Sequence, residues 1–285
     1  MDQGDYFRIL RAAVDLGGKD VLEVGGCVPP SLISSGNVRS WTSIDITERR
    51  FEVSLGRETS PKWHRAVIMD AAKMTFRDES FNIVYSANSF EHISELRAAL
   101  GHIYRVLRPF GMLFTIFSPI WSGPVGHHTW VWDGDRPLTF SDGVFPDWYH
   151  LVKTEQELGE LLVTKYRPEL VNSILRYVYR SDDINRLVDS DYDKEIQMYA
   201  YTPIIKYRIR SRQPPNGDLL KQLREKHPRV QDFTTLGYVW VLSKGPATLG
   251  TRARVWMRGG TEVLWRKLYS RFRPSESNPT RLTPS

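Results

Sequence analysis

Two acids and a pair of glycines near the start of the chain have the types and spacing needed to hold a nucleotide. Val21-Leu22-Glu23-Val24 is a short apolar run carrying an acid, and Gly25-Gly26 follows, where the backbone can turn in ways a residue with a Cβ resists. A second run, Ser40 to Ile46, ends in Asp45, 22 residues after Glu23. That is the spacing of a βαβ nucleotide site, in which the second acid reaches a ribose hydroxyl from the carboxyl end of the next strand. A second group of residues could move protons. Histidine titrates near neutrality and is the usual general base, and His92, His127, His128 and His150 account for four of the seven histidines.

The elements that must position these groups alternate. Residues 3–16 carry Phe7, Leu10, Val14 and Leu16 at helical spacing, and the Gly17-Gly18-Lys19-Asp20 turn separates this helix from the first strand. Residues 30–36 read as a short helix and Phe51 to Leu55 as another, with a third strand at 66–70 and a fourth at Phe81 to Ser86. Ile93, Leu96, Leu100, Ile103 and Leu107 line one face of a helix that should stop at Pro109, and Gly111 opens a fifth strand through Phe117. Repeated strand–helix units predict a parallel sheet with helices on both faces. Downstream, Thr154-x-x-Glu157 predicts a capped helix start, residues 218–226 a helix, and Thr234 to Leu242 a closing strand. A sixth strand has no evident place, and residues 165–232 read equally as a substrate cap.

Further motifs continue in register. Asp70-Ala71 follows the third strand, and Phe76-Arg77-Asp78-Glu79-Ser80-Phe81-Asn82-Ile83-Val84 leads into the fourth. Glu91-His92-Ile93 follows the fourth strand, and Arg105-Val106-Leu107-Arg108-Pro109-Phe110-Gly111 precedes the fifth. From Val21 to Ser118 the chain resembles the class I S-adenosylmethionine-dependent methyltransferases, of the type 11 kind. It departs from their pattern at Cys27 and Pro29, which stand where the second and third glycines of the first motif are expected, and at Asn82, which replaces an acid.

The resemblance implies a Rossmann-like, doubly wound, mostly parallel seven-stranded α/β sheet with an inserted lid and S-adenosylmethionine as cofactor. It implies a domain over 1–245, with core motifs at 21–118, a lid or substrate region at about 119–232 and the closing strand at 234–242. Glu23, Gly25 and Gly26 would hold the methionine end of the cofactor, and Asp45 the ribose hydroxyls. Ile46 would pack on the adenine, Asp70 would accept from its amino group, Ala71 would offer its backbone N–H, and Asn88 would close the pocket near the sulfonium. The expected reaction is methylation of a hydroxyl on a sugar, glycan or other small polar acceptor, because the aromatic segment Trp130 to Tyr149 suits sugar faces and a hydroxyl proton needs a base. His128, His127 and His92 are the candidate bases. Adjacent His127 and His128 cannot both point inward, and His128 is favoured because a turn at Gly126 leaves His127 nearer the hinge. Nitrogen or carbon methylation, and a non-catalytic domain whose cofactor loop is spoiled by Cys27 and Pro29, are the alternatives. Glu91, His92 and the loop histidines could also supply ligands to a divalent ion, but no His-x-x-x-His spacing occurs and no metal site is assigned.

Composition bounds the class. The hydrophobic fraction of 41% and charged fraction of 25% are ordinary globular values, and 285 residues can bury a full core. One cysteine excludes an internal disulfide framework and points to a reducing compartment. Met1-Asp2-Gln3 opens no signal peptide and no apolar run reaches bilayer-spanning length, so a cytoplasmic protein is expected. The net charge of +6 sits in residues 246–285, which hold eight basic residues and two acids. Removing these from the totals of 39 and 33 leaves 31 of each sign, so no nucleic-acid-binding body is expected. Within that tail residues 261–273 read as a basic amphipathic helix that could touch an anionic membrane.

Overall fold

The computed structural model describes residues 3–26, 28–48 and 61–247. Cys27, the expected helix at 51–55 and the expected amphipathic helix at 261–273 lie outside them. Seven strands form the central sheet in the order β3-β2-β1-β4-β5-β9-β8. They are β1 Asp20–Val24, β2 Ser40–Asp45, β3 His64–Ile68, β4 Phe81–Ala87, β5 Leu107–Phe117, β8 Tyr201–Arg210 and β9 Thr235–Lys244. The first five pair in parallel, and β9 runs antiparallel between β5 and β8. The doubly wound, mostly parallel sheet expected from the alternating pattern is present.

Period-two alternation splits the core between the faces of this sheet. Leu22, Val84, Leu113 and Trp240 face one side, where the helix Leu96–Val106 buries Leu96, Ala99, Leu100, Ile103 and Val106 against them. Val21, Ile83, Tyr85, Phe114 and Val241 face the other, covered by Phe7 and Leu10 of the helix Gln3–Ala13. Each large apolar side chain withdrawn from water in this way contributes about 1.5–3 kcal/mol.

The recognised motifs work mainly as struts. Arg105 donates to Asp78 at 2.7 Å and to the carbonyls of Phe76 and Met74, tying the helix before β5 to the turn before β4. Asn82, where an acid was expected, accepts from the Asp20 backbone N–H and from Arg108, so an amide oxygen meets the need for an acceptor at that spot.

The main differences from expectation lie at the start of β5 and in the sixth strand. The helix ends at Val106, and Leu107 to Gly111 already belong to β5, with a register shift between Phe81 and Ile83 and Phe110 at φ 61°. Pro109 is accommodated in that irregular strand start instead of marking the helix end. The sixth strand of the sheet is β8, which lies inside the stretch that sequence left open as a substrate cap.

Between β5 and β8 the chain builds its own layer. The hairpin β6 Trp130–Asp133 with β7 Arg136–Thr139 packs with the helices Glu155–Leu162 and Pro168–Arg180 around Val131, Leu138, Phe145, Leu158, Leu170 and Ile174. Thr154 and Glu157 form the expected capping box at the start of the first of these helices. Among the described residues no helix is long and apolar enough to cross a membrane.

Candidate active site

The carboxyl ends of β1, β2, β3, β4 and β5 gather the residues singled out by type. Glu23 is buried on the face of Trp41 and Tyr85, and its oxygens are taken up internally. They accept from the Val28 backbone N–H at 2.9 and 3.0 Å, from Trp41 Nε1 at 2.8 Å and from Ser43 Oγ at 2.6 Å. Burial pushes this carboxyl above its ordinary range while those donors pull it back. Glu23 therefore corrects the expectation that it holds the cofactor directly: it pins the turn that follows β1. This also explains how the loop tolerates departures from the glycine pattern, because a side-chain carboxylate fixes Val28 N–H. Gly25 has φ 74°, and a Cβ there would lie 2.3 Å from Ser89 Oγ, which donates to the Gly25 carbonyl at 2.8 Å. A Cβ on Gly26 would lie 2.9 Å from Glu23 Oε1. Both glycines are required by close approach.

Asp45 ends β2, where its Oδ1 accepts from the Thr47 backbone N–H at 2.9 Å. Beside it Ile46 is 70% exposed and Ile68, at the end of β3, is 58% exposed. Two large apolar side chains left in water next to a carboxylate suit a flat apolar ring joined to a polyhydroxylated group. Asp70 lies past β3 and caps a single 3₁₀ turn by accepting from Ala72 N–H at 2.8 Å, with Ala71 buried behind it. Asn88 adopts φ 49° just after β4; its Nδ2 donates to Tyr6 Oη at 2.7 Å, and its Oδ1 is buried without a partner among the described residues. Sequence reasoning missed Tyr6 and Ser89, which reach the site from the first helix and the β4 loop with no local motif to mark them.

The loop after β5 separates the histidines. Gly126 leaves no room for a side chain, since a Cβ would lie 2.2 Å from the Trp121 carbonyl oxygen and 2.4 Å from that of Ile120. The chain then turns through His128 at φ 52°. His127 points into the layer built between β5 and β8, where its Nδ1 accepts from Thr129 and its ring lies 4.2 Å from that of Phe145. That placement corrects His127 as a candidate base. His128 points the other way, its ring 4.6 Å from that of His92. Two candidates from different loops are thus brought together, and Glu91 joins them, with ligand atoms of the three residues all within 4.8 Å of one another. His92 Nδ1 bonds to the Asp183 carbonyl, and Asn185 clamps the backbone of this segment through the carbonyls of Phe90, Glu91 and Ile93.

Burial first, and His92 second, hold the His128 imidazole down to about 3; burial holds His150, whose Nε2 bonds to the Trp121 carbonyl, down to about 4. Both rings are neutral in the fold, so His128 is a weak base as it stands. The sign of the consequence is definite. A histidine of lowered folded pKa contributes stability that is complete above its unfolded value near 6.5 and is lost as pH falls from there towards the folded value. Urea unfolding at pH 7 and pH 5 should show a loss of about 2 kcal/mol for each of these rings, and a His150→Phe protein should lose correspondingly less. Equal pH dependence in the two proteins would contradict this assignment.

Comparison with known proteins bears on the domain and the fold. Residues 23–115 match the family model described as a methyltransferase domain. Over 101 residues the chain is 34% identical to the phthiotriol/phenolphthiotriol dimycocerosates methyltransferases of Mycobacterium tuberculosis and Mycobacterium bovis, a stretch that is 34% of this chain and 37% of theirs. The chain thus spans little more than a third of the length of these relatives. In overall fold it is similar to a Listeria monocytogenes crystal structure assigned as an S-adenosylmethionine-dependent methyltransferase, with a TM-score of 0.51 at 12% identity, covering 85% of this chain and 99% of that one.

Proposed function

We propose that this chain, a member of the class I S-adenosylmethionine-dependent methyltransferase superfamily by its sheet and its domain match over residues 23–115, methylates a hydroxyl group on a small polar acceptor such as a sugar or glycan. The residues present fit the cofactor. The turn at Gly25 and Gly26 leaves no room for Cβ atoms, Asn88 Oδ1 is a buried acceptor awaiting a donor, and Ile46 and Ile68 are apolar and exposed beside Asp45. Asp45 would take the ribose hydroxyls, the two isoleucines would flank the adenine, and Asp70 and Ala71 would meet its polar edge. When bound, the cofactor supplies an electrophilic methyl group on a sulfonium.

The observation that carries the hydroxyl reading is the convergence of Glu91, His92 and His128. Oxygen methylation differs from methylation of a neutral amine in that the acceptor's proton must leave as the bond forms, and this cluster provides the lone pairs. His92 is the better-placed base, because the Asp183 carbonyl fixes its Nδ1–H and leaves Nε2 basic.

A second reading is an acceptor hydroxyl carried on an apolar lipid. It is favoured by Trp130 and Trp132, 53% and 58% exposed on the same face of β6, and by the lipid substrates named for the mycobacterial relatives.

Calorimetry with S-adenosylhomocysteine tests the shared core of both readings. Asp45→Ala should weaken binding about ten- to a hundredfold, the value of roughly 1.5–3 kcal/mol for a charge-assisted hydrogen bond. If the wild-type protein binds no cofactor at millimolar concentration, the enzyme reading is lost.

A further inference from the structure

We infer that Glu91, His92 and His128 form a binding site for a divalent transition-metal cation, of the zinc or manganese class, facing the acceptor. The inference rests on the proposed function only for what occupies the outer side of the ion. Its core is the way the three side chains are held.

Histidines that ligate metals characteristically donate their second ring N–H to a carbonyl or carboxylate, which fixes the tautomer and aims the lone pair. His92 has that arrangement. His92 Nδ1 is occupied by the Asp183 carbonyl, so its lone pair lies on Nε2. His128 has its Nδ1 buried without a hydrogen-bond partner among the described residues. The third group, Glu91, is wholly out of water, and a dication offsets the charge of its carboxylate.

The spacing suits one ion. Nitrogen and oxygen ligands about 2.0–2.2 Å from a common tetrahedral metal lie roughly 3.3–3.6 Å apart. The three ligand atoms lie within 4.8 Å of one another, so the widest pair closes by up to roughly 1.5 Å on binding, by side-chain rotation. The supporting backbone is already fixed: Asn185 holds the Glu91–His92 segment, and the crowded Gly126 turn delivers His128.

The donor set indicates which ion. Two imidazoles and one carboxylate suit zinc, manganese, iron and their neighbours, whereas magnesium and calcium prefer all-oxygen sites. Three protein ligands leave further positions for water or for an acceptor hydroxyl. A hydroxyl held there is acidified by the cation and gives its proton to solvent water. In that form His92 acts as a ligand, and no free imidazole base is needed.

The test uses the full chain stripped by a chelator and titrated with zinc chloride in a calorimeter. One equivalent should bind at micromolar or tighter concentration, magnesium chloride should give no comparable heat, and Glu91→Gln and His128→Gln should each weaken zinc binding by more than roughly 100-fold. Thermal melts of the metal-free variants establish that they are folded. If either fails to fold, cobalt absorption of the wild-type protein decides: ligand-field bands of an imidazole-bound ion support the site, and their absence overturns it. Failure of the wild type to bind zinc, or equal binding by the folded variants, also overturns it. The same samples are titrated with S-adenosylhomocysteine. Zinc binding without cofactor binding keeps this site and removes the methyltransferase reading; cofactor binding without zinc binding does the reverse.

Discussion

The His92→Ala protein should bind S-adenosylhomocysteine within about threefold of wild type and turn over about 10²–10⁴-fold more slowly. The separation follows from position. Asp45, Ile46, Asp70 and the Gly25 turn, which would carry the cofactor, lie at the ends of β1, β2 and β3, while His92 follows β4 and reaches across to His128. His128→Ala should act in the same direction, because it removes the other ring of the pair. His127→Ala is the control: its ring packs on Phe145 and hydrogen-bonds Thr129, so it should lower stability and leave turnover per folded molecule close to wild type. The measurement is S-adenosylhomocysteine released with a hydroxyl acceptor, with kcat and KM determined separately. A His92→Ala protein as fast as wild type would remove the cluster from the chemistry.

Glu23→Ala should destabilise the fold by about 3–5 kcal/mol, enough to lower the melting midpoint of a chain this size by roughly 6–20 °C. The loss has a countable origin. Val28 N–H, Trp41 Nε1 and Ser43 Oγ all donate to this one carboxylate, and its removal strips each of these buried donors of that acceptor. Ser43 also contacts His64 Nε2 at 3.3 Å, so the disturbance extends across β2 to β3. Glu23→Gln should recover only part of the loss, since its amide presents donors to donors. A melting curve unchanged in Glu23→Ala would show that the β1 turn is held by something other than this side chain.

The residues that sequence spacing picked out for the cofactor do converge, because strand register is written in local alternation. A strand ending in Asp45 or leading to Asp70 puts that acid on one rim whatever the rest of the chain does. What sequence could not convey was direction. Glu23 has the position of a cofactor ligand, yet three buried donors turn it inward. His127 and His128 are neighbours of identical type, and a backbone turn forced by crowding at Gly126 sends them to opposite sides. Strand β8 was obscured for a different reason. It lies at the sheet edge, contains Pro203, and interleaves Lys206, Arg208 and Arg210 with its apolar residues, which are the devices that keep an edge strand from reading as a core strand. Asp183 and Asn185, which orient the β4 loop from almost a hundred residues away, carry no local signal.

The place of β9 has a consequence for synthesis. Among the described residues it is the last strand in sequence, yet it lies between β5 and β8, hydrogen-bonded to both. A nascent chain that has emerged only as far as residue 234 has five described strands of the central sheet able to pair, a bare edge along β5, and a β8 with nothing to join. Both would be open to pairing with other chains until Thr235 to Lys244 arrive to close the sheet from within. The sheet is therefore completed from its interior, and the segment that fills the gap also protects it from association with neighbours on the same message.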